Sequence, residues 1–212
     1  MPGIAHDTID SFRHKVESFS NTYIEDWNTW IGTASSARPA QLGRVLRRWQ
    51  ACRPNRMRRD AASAQHQGPY LDDLLADAAP HVAALAIFDI ADPAALDDAS
   101  FNTALDQLWQ VFEQLSYHGK ARQGRAGSVG ISKGVMLATD GRVGPAFDSV
   151  VSSELKVGKI QTATQWRTAL AAVHADIRAF ERVNGIRFAD AKPPRFAMLN
   201  NGRVYDMALG PR

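Results

Sequence analysis

TATQWRTALAAVHADIRAFERVNG, residues 162–185, is the stretch that decides the fold. Trp166, Leu170, Val173, Ile177 and Phe180 follow one another at alternating steps of four and three, the spacing of one face of an α-helix. Thr162 or Thr164 is placed to cap it, and Gly185 to end it. Outward from this helix the same period returns. Ser100 opens a helix whose core side is Phe101, Leu105, Leu108, Phe112 and Leu115. Residues 131–138 have helical character and end in the turn Thr-Asp-Gly-Arg. A further helix runs from Asp148 to about Leu155.

Near the start, Ile9, Phe12, Val16, Phe19, Tyr23, Trp27, Trp30 and Ile31 predict one long amphipathic helix over 8–31, with Asp7 as its cap. A second helix is expected over about 40–51, with Leu42, Val45, Leu46 and Trp49 on one side and Arg44, Arg47 and Arg48 on the other. The pattern turns helical again at Tyr70, Pro80 interrupts it, and the apolar run 81–90 reads equally as a buried helix or a short strand. Asn200-Asn201-Gly202 between RFAML and RVYDM is a hairpin signal. The expected fold is mainly α: a single helical domain over 1–212 with at most a small C-terminal β-hairpin. Residues 1–39 would form an N-terminal helical extension. Residues 119–155 would form a hairpin-helix-turn-Asp segment like a helix-hairpin-helix element.

Composition narrows the class. The 212 residues are 45% hydrophobic and 22% charged, which excludes disordered, collagenous and disulfide-stapled chains. No apolar run approaches the roughly 20 residues of a membrane span, so no membrane partner is expected. The start lacks a secretory pattern, and the lone Cys52 leaves no internal disulfide; both point to a reducing cytoplasm. The six histidines are scattered without metal-ligand spacing, and neither a GxSxG elbow nor a phosphate loop is present. No metal and no organic cofactor is implied. Oligomeric state is not legible.

Charge order tells more than the net value of +3. Residues 38–59 hold eight arginines, among them Arg44, Arg47, Arg48, Arg53 and Arg56, and no acid. Residues 60–119 hold ten acids and no lysine or arginine. These blocks either meet in the fold or leave a basic face that attracts a polyanion.

One stretch carries chemistry: Gly127-Ser-Val-Gly-Ile-Ser-Lys133, a short helix, a Gly/Pro turn, then Phe147-Asp148-Ser-Val-Val. Over about 125–155 it resembles the helix-hairpin-helix DNA glycosylases, in particular the divergent bacterial branch related to 8-oxoguanine glycosylases. The resemblance assigns Gly127, Val129 and Gly130 to a DNA-binding hairpin, Lys133 to the family's lysine and Asp148 to its catalytic aspartate. It implies as partner a DNA duplex bearing a damaged or modified base. Two departures stand out. Two residues, not one, separate Gly130 from Lys133, and the lysine-to-aspartate separation is 15, about one helical turn short of the family's span. Lys133 would then be displaced while Asp148 is retained, leaving a monofunctional enzyme or none.

The residue types suit that chemistry. Breaking an N-glycosidic bond builds positive charge on the sugar, which a nearby carboxylate stabilises while orienting a water. A lysine of lowered pKa attacks the sugar carbon instead and forms a Schiff base. The base must first leave the stack, and backbone N–H groups at a helix start grip flanking phosphates. Each residue also has a plain role: Asp148 as an N-cap, Lys133 as a solvent-exposed residue or phosphate contact, the glycines as a turn, the arginines as a solvated face, the tryptophans as core. Two alternatives therefore stay open. One is a non-catalytic nucleic-acid-binding protein; the other is a helical protein-interaction module.

Overall fold

The structure is a computed structural model that describes residues 3–52, 56–57, 71–117 and 125–211. Among them are ten α-helices: α1 (Ile9–Glu17), α2 (Asn21–Ile31), α3 (Arg38–Arg48), α4 (Leu71–Ala84), α5 (Ala99–Phe112), α6 (Ser128–Ala138), α7 (Ser149–Glu154), α8 (Ala163–Asn184), α9 (Phe188–Ala191) and α10 (Asn201–Leu209). Two short antiparallel strands, β1 (Arg56–Met57) and β2 (Ser116–Tyr117), set Arg56 opposite Tyr117. The protein is mainly helical. No described helix is long and apolar enough to cross a membrane.

The core is built around α6. Every residue from Gly130 to Ala138 is buried, as expected of a helix enclosed on all sides. Glycine permits this at Gly134, where a Cβ would lie 2.4 Å from Phe112 Cδ1, so α5 and α6 approach closely. The long helix α8 lays its stripe of Trp166, Leu170, Val173, Ile177 and Phe180 into the same core. Thr162 caps it through Gln165 N, and Gly185 ends it in the left-handed region at φ +67°. Phe12, Phe180 and Phe188 meet with ring centroids 5.1–6.1 Å apart, joining α1, α8 and α9.

Several boundaries differ from expectation. The 8–31 helix is two helices. Ser18 caps the end of α1, Phe19 turns inward, and Ser20 N donates to Pro211 O before α2 begins. Thr8, not Asp7, caps α1, while Asp7 pairs with Lys15 at 2.7 Å. Asp98, not Ser100, caps α5, because its carboxylate reaches the N–H groups of both Ser100 and Phe101. Pro80 is accommodated inside α4, and the 81–90 run ends that helix and continues as turns rather than a strand. The β element lies at β1–β2, not at the C-terminus. Asn201-Gly202 opens α10 instead of a hairpin, since every residue from Asn201 to Leu209 is buried and so demands an element enclosed on all sides. Residues 3–31 form part of the core. Asp176 on α8 accepts the N–H groups of Ile4 (2.8 Å) and Ala5 (3.1 Å) and the Tyr205 hydroxyl (2.6 Å), tying both ends of the chain to its longest helix.

Candidate active site

The segment 146–148 lies between α6 and α10, held from both sides. Ser132 Oγ accepts the Phe147 N–H at 2.9 Å, and Asp206 Oδ1 accepts the Ala146 N–H at 3.0 Å. Asp148, next along the chain, caps α7: its Oδ1 accepts both Val150 N and Val151 N at 3.0 Å. Its other oxygen, Oδ2, has no hydrogen-bond partner among the described residues. The carboxylate is thus fixed by one oxygen and available through the other.

Lys133 follows Ser132 on α6, so the bond from Ser132 to Phe147 sets the lysine beside the aspartate's segment. Lys133 is buried rather than solvent-exposed as expected, because its Nζ donates to the backbone carbonyl oxygen of Trp49 at 2.9 Å. Burial lowers its pKa, and the negative charges of Asp148 and Asp206 oppose that shift. Lys133 and Asp148 line one small cavity, of about 10 Å³, with Tyr23, Trp49, Arg203 and Asp206. Burial raises the Tyr23 pKa, with Asp148 the largest of three carboxylates acting in the same direction. Also at this cavity, Arg203 Nη1 and Asp206 Oδ2 form a buried ion pair at 2.5 Å. Burial pushes the Asp206 carboxyl upward against the pull of Arg203. The Arg203 guanidinium stands over the rings of Trp27, Phe19 and Trp49, at 4.6, 4.9 and 5.7 Å from their centroids.

The structure therefore brings Lys133 and Asp148 together. The glycines lie differently from expectation. Gly127 occupies the exposed N-cap position of α6, whereas Val129 and Gly130 already belong to its first turn. Gly130 is buried against the end of the α3 segment, where a Cβ would stand 3.0 Å from Ala51 O and 3.1 Å from Cys52 Sγ. That glycine serves helix packing. Residues 118–124 of the Gly-rich stretch lie outside the described residues. Cys52 is buried, and desolvation raises its thiol from 9.0 to about 11, against the opposing pull of Ser116 and Lys133.

The arginines divide. Arg44 and Arg47 are exposed and make no ion pair among the described residues. Arg48 pairs with Asp26 at 3.1 Å, and Asp26 also accepts the Trp49 indole N–H. Arg53 and the side chain of Arg56 lie outside the described residues. Among the described residues no cluster of His, Cys, Asp or Glu has a metal-holding arrangement.

Sequence reading missed Ser132, Arg203, Asp206 and the Trp49 carbonyl. Arg203 and Asp206 stand three apart, a pairing legible only once 201–209 is read as a helix. Comparison with known protein families, with curated proteins and with solved structures finds no match.

Proposed function

We propose that the chain binds duplex DNA and excises a damaged or modified base, as the helix-hairpin-helix glycosylases it resembles do. One observation carries this reading: Lys133 and Asp148, 15 positions apart, line the same cavity, with Asp148 anchored as a cap through one oxygen only. In this scheme the bond between sugar carbon and base breaks with its electron pair leaving on the base. Asp148 stabilises the positive sugar and takes the proton of the water that attacks it. Lys133 holds the Trp49 carbonyl and keeps a positive charge near Asp148, a positioning role that suits simple hydrolysis. A Schiff base would first require its release from Trp49.

Arg44 and Arg47, exposed and without an ion pair among the described residues, suit phosphate contacts, as do the unbonded amides that open α6 at Ser128 and Val129. The scheme needs no cofactor and suits a reducing cytoplasm. The experiment is a base-release assay on a panel of modified duplexes, with wild type and Asp148→Asn side by side. A second reading, binding without excision, is favoured by the size of the cavity. The cavity has room for about one water molecule, far below the usual range for ligand pockets, so it must widen to admit a base. Salt-sensitive duplex binding with no base release from any substrate distinguishes this reading.

A further inference from the structure

A second concavity, of about 150 Å³ and open to solvent, shares Arg203 with the cavity at Asp148 but has no part in the excision scheme. It is formed by α2, α10 and the segment 195–199. Trp27, Phe196, Leu199 and Met207 supply apolar walls, and Arg195 and Arg203 supply cations. Among the described residues no acidic side chain lines it.

Two of its lining side chains have unmet hydrogen-bonding needs. Arg203 is 1% exposed, and with Nη1 engaged by Asp206 its Nε and Nη2 have no acceptor among the described residues. Trp27 is 2% exposed, and its indole Nε1 has no acceptor there either. Buried polar groups are almost always paired, so each such case calls for a missing partner. Guanidinium and indole nitrogens only donate, so that partner must accept. Arg195, exposed and stacked over Phe196 at 5.1 Å, adds positive charge at the rim with no lining acid to offset it. The apolar walls call for a flat or apolar body behind the accepting group.

We propose that this groove binds an oxyanion, carboxylate or phosphate, carried on a flat apolar body. The oxyanion pairs with Arg195 at the rim and meets the Arg203 and Trp27 donors, which have almost no accessible surface in the free protein, once the side chains over them shift; the body packs against the groove's apolar wall. Asp148 does not line the groove, and the proposal does not depend on base excision.

The test follows the indole N–H of Trp27 by heteronuclear NMR, assigned through its loss in Trp27→Phe. Adenosine monophosphate, benzoate and a short single-stranded oligonucleotide serve as probes. The resonance should move on addition of at least one probe, in a saturable way. Response to the two small molecules alone marks a free metabolite-sized ligand, and response to the oligonucleotide marks a nucleotide within a strand; both support the site. By calorimetry, Arg195→Ala should weaken the bound probe roughly tenfold, the loss of one charge-assisted hydrogen bond. Trp27→Phe, which keeps a ring and removes the donor, should weaken it as well. Arg195 is exposed, so its replacement leaves the fold intact. The proposal is overturned if no probe moves the resonance at about 10 mM, where even a millimolar complex is mostly formed. Unchanged affinity in both variants overturns it too.

Discussion

Lys133 Nζ donates to the carbonyl oxygen of Trp49 at 2.9 Å, joining residues 84 positions apart and binding α6 to the end of the α3 segment. The bond explains how a lysine can be buried in the core: its stem packs among apolar side chains while its donor finds a backbone acceptor. Lys133→Met keeps the stem and removes the donor, leaving the carbonyl without that partner. Chemical denaturation should show a loss of about 1–3 kcal/mol. Borohydride should trap no covalent complex between wild type and substrate, because the amine is committed to Trp49. A trapped complex that disappears in Lys133→Met would reverse the assignment and make Lys133 the nucleophile.

Under the proposed DNA binding, Arg44 and Arg47 should account for most of the electrostatic grip, since Arg48 is already engaged by Asp26. Replacing Arg44 and Arg47 by Ala should weaken unrelated duplexes about equally and flatten the salt slope by up to about 0.9 for each phosphate no longer neutralised. Adding Arg48→Ala should change the slope little further. A slope unaltered in the double variant would return these residues to an ordinary solvated face.

The two glycines at the start of α6 should behave oppositely. Gly127 has nothing within 4 Å of an added Cβ, so Gly127→Ala should shift the melting temperature little. Gly130→Val drives its side chain toward Ala51 O and Cys52 Sγ, and overpacking of this kind costs about 1–3 kcal/mol. Thermal melts of the two variants check this. Equal and small effects would mean that α3 and α6 are less closely packed than described.

Cys52 should make stability fall on the alkaline side. Its thiol is raised in the folded protein from 9.0 to about 11, so the unfolded chain loses this proton first. The contribution is complete below pH 9 and is lost as pH rises toward 11, by roughly 2–3 kcal/mol in total. Cys52→Ala should flatten that limb of a denaturation-against-pH profile. Native protein at about pH 8, below the ordinary thiol pKa, should also resist iodoacetamide. Rapid labelling without unfolding would contradict the burial of this residue.

What the sequence makes legible follows from what determines each element. The stripe of α8 and its Thr162 and Gly185 ends are local chemistry, and they appear where the spacing puts them. The Asp148 cap is equally local: an acid before Ser-Val-Val reaches its own next amides. The tail misleads because Asn-Gly favours a hairpin only when the flanking strands have a sheet to join. Here 201–209 is enclosed by the core, and tertiary burial overrides the turn signal. The break at 18–20 rests on the Ser20–Pro211 bond, and the positioning of Lys133 on a carbonyl 84 residues away. No short window contains either relation. The orphaned Arg203 and Trp27 donors are likewise a property of packing alone.

Single-turnover base release from modified duplexes by wild type and Asp148→Asn is the decisive measurement for the proposed excision. Asn caps a helix about as well as Asp but carries no charge, so the fold, the α7 cap and duplex binding should survive the change. Losing only a cap costs about 0.5–2 kcal/mol of stability, whereas losing a carboxylate that stabilises the transition state lowers the rate by orders of magnitude. Wild type should release a base from at least one substrate, and Asp148→Asn should bind that substrate with near-native melting behaviour and release almost none. Equal rates in the two proteins, or no release by wild type from any modified duplex, would refute the catalytic role and leave Asp148 as a cap alone.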